Sequence, residues 1–147
     1  MIFREAKHTD IGDLTEIRLS VKENILSNPA LISKQDYVDY LTIFGKGWLC
    51  EIESQIVGFA IVGLKQKNVW ALFVHQDFEN KGIGKQLHKI MLDWYFYQTK
   101  TTIWLSTEQN TKAEQFYKKQ GWTSVGMHDK DEIKFEMSHK NWQNREV

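Results

Sequence analysis

One proline, one cysteine and no net charge are what this 147-residue chain conspicuously does without or with little of. A lone Cys50 excludes an internal disulfide, and with it the small secreted scaffolds that bridges hold together. It also suits a reducing cytoplasm, where the protein is expected to work. With 19 basic against 19 acidic residues, no overall field draws the chain to nucleic acid or to an anionic membrane. No apolar run approaches the roughly 20 residues that span a bilayer. The polar start, Met1 to Lys7, is unlike a secretory signal. Five histidines without ligand spacing beside one cysteine make no zinc cluster, so no metal is expected. No Gly-x-Ser-x-Gly elbow is present either. What remains is a hydrophobic share of 41%, enough for an ordered globular protein. The length predicts a single domain over residues 1–147 with a real core, and no repeat, low-complexity tract or linker divides it.

The periodicities predict alternating element types. Residues 1–6 read as a strand. Thr9 or Asp10 then caps a helix with Ile11, Leu14, Ile17 and Val21 at helical spacing, interrupted at Asn28-Pro29. Ser33, with Asp36 three residues on, caps a second helix bearing Tyr37, Leu41 and Phe44, and Gly45-Lys46-Gly47 ends it. Strands over 48–53 and 56–64 meet at a tight Ser54-Gln55 turn, and a third follows over 69–74, making an antiparallel meander. A helix from Gly82 to about Tyr97 then forces a right-handed crossover, so a strand at 102–107 should run parallel to that at 69–74. A helix over 110–120 ends at Gly121, and strands at 122–127 and 133–138 complete a mixed α/β sheet.

The stretch from Ala71 to Leu87 concentrates the chemistry. An apolar strand, Trp70 to Val74, leads into the polar turn His75 to Lys81. Gly82-Ile83-Gly84-Lys85 comes next, then a helical pattern with Leu87, Ile90, Met91 and Trp94. Strand, loop, two glycines and helix in that order direct unbonded first-turn N–H groups at one spot, where the helix dipole also favours an anion. Glycine lets the anion approach the backbone, and Lys81 and Lys85 add charge. This is neither a Walker A loop, since Glu79 and Gln86 occupy the Gly and hydroxyl positions, nor a dinucleotide fingerprint, whose third Gly is Leu87 here.

A second segment follows the strand at 102–107: Asn110, Ala113, Phe116, Tyr117, Gly121 and Trp122, in the spacing Asn-x-x-Ala-x-x-Phe-Tyr-x-x-x-Gly-Trp. Together the two segments resemble the GCN5-related N-acetyltransferase (GNAT) superfamily. The second motif is matched at every named position. The first, Gln/Arg-x-x-Gly-x-Gly/Ala, departs at Glu79, which bears on the strength of phosphate binding. The resemblance is specific over residues 69–122 and rests on element order elsewhere.

The resemblance implies the GNAT fold, a central mixed and mostly antiparallel sheet whose two parallel strands splay apart, flanked by helices. It implies acetyl-CoA as donor, lying in that opening. Leu72, Phe73 and Val74 would then offer main-chain groups to the pantetheine amides and the thioester carbonyl. An N–H aimed at that carbonyl acts as an oxyanion hole. Asn80, Lys81, Gly82, Ile83, Gly84 and Lys85 would cradle the pyrophosphate, and Asn110 would cap the next helix and contact the pantetheine arm. Asn is a strong N-cap in any protein, so capping alone explains it as well. Tyr117 would be the catalytic residue, its phenol protonating the CoA sulfur as an amine attacks the thioester. Against this stands plain packing, since Ala113, Phe116 and Tyr117 share a helix face.

No general base is assigned: Leu105 holds a position where the family often has Glu, and Glu108, His75 and Asp77 are equally compatible with solvated surface. Cys50 reads as an inert buried thiol rather than an acetyl carrier. Tyr37, Tyr40, Phe44 and Trp70 either line a pocket for a cationic acceptor or pack the core, with Glu51 or Glu108 as acidic attractors. The leading reading is acetyl transfer to a primary amine of a small molecule or peptide, by direct attack in a ternary complex. The alternative is a non-catalytic acyl-CoA-binding module. Neither nucleic acid nor membrane is an expected partner, and a homodimer is compatible with all of this.

Overall fold

A computed structural model describes residues 1–21 and 32–145; the predicted break at Asn28-Pro29 lies outside the described residues. The chain divides into two compact units, Met1–Tyr95 and Phe96–Val147.

The first unit is built on four strands, β1 (Ile2–Glu5), β2 (Gly45–Ile52), β3 (Gln55–Gly63) and β4 (Asn68–Val74). Each pairs with the next antiparallel, so the expected meander holds. Alternation fails along β2 and β3, where Trp48 to Cys50 and Val57 to Val62 are buried on both faces, as for a sheet covered on two sides. The predicted glycine stop after the second helix is corrected: Gly45 and Gly47 lie inside β2, opposite Gly63 and Ile61. The β2–β3 turn is centred on Glu53 and Ser54, at φ 50° and 66°, with Ile52 facing Gln55. Two left-handed residues match the right-handed twist of a hairpin, which places the turn one residue before the expected pair.

Helix α1 (Ile11–Ser20) sets Ile11, Leu14 and Ile17 into the core, and α2 (Lys34–Asp39) adds Tyr37. The predicted Ser33–Asp36 capping box is formed: Asp36 N donates to Ser33 Oγ at 3.2 Å and Ser33 N to Asp36 Oδ2 at 2.8 Å. Asp10 precedes α1 but makes no cap bond. Its carboxylate accepts instead from Lys7 N at 2.8 Å and, bidentate, from Arg4 Nη1 and Nη2 at 3.0 and 2.9 Å. The Arg4 guanidinium holds the Asp10 carboxyl below its usual range.

Helix α3 (Ile83–Gln98) carries the chain across the unit boundary. Its first turns lie close to β3 at Gly58, where a Cβ would meet Phe73 O at 3.1 Å and the Ile83 and Leu87 methyls at 3.3 Å. A glycine there is what lets the helix approach this closely. Leu87, His88, Met91, Leu92 and Tyr95 are fully buried while Ile90 and Trp94 are half-buried, so the buried face is rotated from the expected one and includes a histidine.

The second unit has β5 (Ile103–Glu108), β7 (Glu132–Met137) and β6 (Thr123–Met127), with β7 antiparallel to both others. In β5, Ile103, Leu105 and Thr107 are buried, and Leu105 faces the buried Phe135 across the pair. Helix α4 (Lys112–Lys119) ends before Gly121, at φ 95°, the predicted stop. A final helix, α5 (His139–Asn144), was not expected; Ser138 caps it, accepting from Asn141 N at 3.1 Å. Its Trp142 is buried, with Arg145 over the ring at 3.7 Å. No helix among the described residues is long and apolar enough to cross a membrane.

Candidate active site

In the first unit, Leu72, Phe73 and Val74 end β4, half-buried, opposite Ala60, Phe59 and Gly58 of β3. The chain leaves the sheet at His75, whose N–H donates to Val57 O at 2.8 Å, and makes a single 3-10 turn at Gln76–Phe78. His75 Nδ1 accepts from Asp77 N at 3.1 Å, so the imidazole caps its own turn. That bond puts the proton of the neutral ring on Nε2 and gives His75 a structural role.

Beyond the turn the backbone alternates. Glu79 is extended, Asn80 has φ 62° and Gly82 φ 80°. Asn is among the few side chains that tolerate the left-handed region, and at Gly82 a Cβ would meet nothing within 4 Å. Backbone conformation, not crowding, therefore calls for glycine at 82. The first hydrogen bond spanning a turn of α3 runs from Gln86 N to Gly82 O at 3.1 Å. Ile83, Gly84 and Lys85 thus have N–H groups with no intrahelical acceptor. Ile83 buries its side chain against the Gly58 site and anchors this turn, while Lys81 and Lys85 stay exposed. Oriented N–H groups, a dipole and two flanking cations fit an anion of the phosphate type.

In the second unit the structure corrects one expectation. Asn110 does not cap α4; it occupies the turn before it at φ 61°. The cap is Thr111, whose Oγ1 accepts from Glu114 N at 3.2 Å and donates to Glu108 O at 2.9 Å. A left-handed residue at 110 turns the chain so that the next side chain, a hydroxyl, meets the first-turn donor. Tyr117 is 7% exposed. Its ring lies edge-on to Phe116 and Trp122 at 5.3 and 5.7 Å and near Phe135 at 6.3 Å. Burial pushes its phenol above the usual value, so it stays protonated through the neutral range.

The other candidates separate. Leu105 is buried, and Glu108 is exposed at the end of β5. Glu51 accepts from Arg4 Nε at 2.8 Å, which removes it as a free attractor of cations. Cys50 is fully buried with its thiol pushed up by desolvation, the inert thiol expected. Tyr37 belongs to the core, and Tyr40 and Trp70 pack against it. Among the described residues no group of three or more His, Cys, Asp or Glu could hold a metal ion. Sequence reasoning passed over Arg18, although Ile11, Leu14 and Arg18 stand at i, i+3 and i+7 and so share a helix face.

Comparison with known proteins places these features. Solved structures similar to this chain include a PaiA N-acetyltransferase from Thermoplasma acidophilum in complex with coenzyme A. It has TM-score 0.80 and 15% identity, over 93% of this chain and 98% of that one. A GNAT-family acetyltransferase from Staphylococcus aureus Mu50 has TM-score 0.80 and 21% identity, over 94% and 98%. A ribosomal-protein-alanine N-acetyltransferase from Brucella melitensis has TM-score 0.76 and 18% identity, over 94% and 99%. These likenesses show the fold, the expected mixed and mostly antiparallel sheet flanked by helices. The family described as "Acetyltransferase (GNAT) domain" matches residues 44–124, more than half of the chain, including the loop at 79–85 and the whole of α4. The chain belongs to the GNAT acetyltransferase family.

Proposed function

We propose that residues 1–147 form one N-acetyltransferase domain that moves an acetyl group from acetyl-CoA to a primary amine of a small molecule or peptide. The observation that carries this is the row of first-turn N–H groups at Ile83, Gly84 and Lys85, beyond left-handed Asn80 and Gly82, inside the family match. A neighbour of the same fold was solved with coenzyme A, which supports the choice of donor. The alanine of a ribosomal protein, named for two neighbours, exemplifies a peptide amine. A cytoplasmic setting accords with the single reduced cysteine.

When bound, acetyl-CoA supplies a thioester, whose C–S bond breaks as the new C–N bond forms. Asn80 through Lys85 hold the pyrophosphate through N–H groups and the charges of Lys81 and Lys85. Successive backbone groups of Leu72, Phe73 and Val74 point alternately toward and away from β3. Those pointing away pair with the pantetheine arm, and an N–H among them stabilises charge growing on the carbonyl oxygen. Asn110 contacts the same arm. Tyr117 donates to the sulfur as negative charge builds there. Because burial makes its phenol a weaker acid, donation accompanies C–S cleavage rather than preceding it. The amine's proton leaves to water. A non-catalytic acyl-CoA-binding module is the second reading, favoured by buried Leu105 at one position where a family Glu occurs and by the capping role of His75.

The test uses two arms. Acetyl-CoA should raise the melting temperature, because a ligand bound only by the folded state stabilises it. Thiol release should then appear with at least one member of an amine panel. A shift without release in any case supports the module; no shift at millimolar acetyl-CoA ends both readings.

A further inference from the structure

Two arginines of the first unit are treated in opposite ways. Arg4 has Asp10 and Glu51 as hydrogen-bonded partners. Arg18, on α1, has no carboxylate partner among the described residues. Its Nε and Nη1 are shut off from solvent and make no hydrogen bond. Its guanidinium carbon lies 5.0 Å from the ring centroids of both Trp70 and Phe73. The Tyr37 hydroxyl lies beside it, close enough to favour the charged form, yet itself sealed and without a well-formed hydrogen bond. Desolvation is the larger influence on Arg18 and pulls it below its ordinary value. A planar fork of five donors held on aromatic faces with its inner donors unused is costly to keep, and the partner its geometry suits is a carboxylate.

The same rings speak against a cationic acceptor. Trp70 stacks on Tyr40 at 4.4 Å and 13°, meets the edge of Tyr37 at 5.0 Å, and already carries the Arg18 charge. A second cation among Tyr37, Tyr40, Phe44 and Trp70 would face that charge in a poorly solvated place. Phe73, beneath Arg18, belongs to the β4 segment assigned to the donor thioester, so an acceptor held at Arg18 lies beside that strand.

We propose that Arg18 and the Tyr37 hydroxyl bind a carboxylate of the amine acceptor. Resting on the acetyltransferase reading above, this makes the substrate an amino acid or a peptide with a free carboxylate rather than a polyamine or an aminoglycoside. Arg18 is thus a specificity residue, which holds the acceptor by a group remote from the reacting amine.

The test compares amino acids and dipeptides offered as free acids and as their amides, with acetyl-CoA as donor. The wild-type chain should prefer the acids in kcat/KM. In Arg18→Gln that preference should collapse by about 10- to 100-fold, the size of a lost charge-assisted pair, mainly through acceptor KM. Arg18→Lys keeps the charge and loses the fork; it should recover part of the preference, and it serves if the Gln variant melts too low. A preference for amides or polyamines, or equal losses for acids and amides, would overturn the proposal. A second readout is independent of turnover: the ¹⁵Nε resonance of Arg18 should shift on titration with the free acids and not with the amides. If no amine is acetylated, that resonance alone decides, and an unmoved Nε at saturating acid sinks the carboxylate site. Acetyl-CoA binding in the thermal assay separates this failure from failure of the acetyltransferase reading.

Discussion

The entries to α3 and α4 begin alike and end differently. Each passes through a left-handed asparagine, Asn80 at φ 62° and Asn110 at φ 61°. After Asn110 comes Thr111, whose hydroxyl takes the N–H of Glu114. After Asn80 come Lys81 and Gly82, and glycine has no side chain with which to cap. The donors at Ile83, Gly84 and Lys85 therefore stay available, while one at α4 is closed by its own chain. A helix N-terminus becomes an anion site where the capping side chain is withheld. In the proposed acetyl transfer the two helices would serve by different means, α3 through backbone and α4 through the side chain of Tyr117.

The sharpest way to probe that division is Tyr117→Phe. The ring and its contacts with Phe116, Trp122 and Phe135 remain, and only the hydroxyl goes. Turnover should fall by about 10²- to 10⁴-fold, the range for a general acid, with acetyl-CoA affinity nearly unchanged. Equal turnover would return Tyr117 to the core, and a parallel loss of affinity would make it a binding residue. Gly82→Asp breaks the comparison from the other side, because it sets a carboxylate at the open donors. Acetyl-CoA affinity measured by calorimetry should drop about 10- to 100-fold, through like charge and through a strained left-handed Asp. Unchanged affinity would place the pyrophosphate elsewhere.

Thr111→Ala removes the cap that closes α4. The chain should lose about 1 kcal/mol of stability in denaturant melts, with no gain of a phosphate site there. No loss would mean that tertiary packing alone holds the first turn of α4. The smallest effect is expected from Glu79→Gln, which restores the family's usual residue and removes a negative charge near the cradle. Acetyl-CoA should bind about two- to fourfold more tightly, the size of one like charge removed from a half-buried position near the surface. Weaker binding would show that Glu79 supports the loop.

Much of this was legible because it is local. Ser33 and Asp36 lie three residues apart, and their box depends on nothing distant. Asn110 shows where local reasoning stops. Two neighbouring residues each carried a capping oxygen, and the left-handed backbone at 110 gave the cap to Thr111. His75, weighed as a base, was drawn into its own turn by the N–H of Asp77. The α5 helix has Ser138 as a cap signal, but six residues carry too little periodicity to stand without their neighbours.

By itself the sequence determined the element order as far as β7, the meander, the two-glycine entry to α3 and the motif around Tyr117. Hydrophobic period and backbone tolerance are properties of adjacent residues, so they can be read without the fold. Tertiary structure alone decided which charges are answered. Arg4 meets Glu51 from 47 positions away, Asp10 closes the same cluster, and Arg18 is left over Trp70 and Phe73 with no carboxylate among the described residues. Desolvation and pairing depend on which distant side chains arrive at one place, and no pattern along the chain records that.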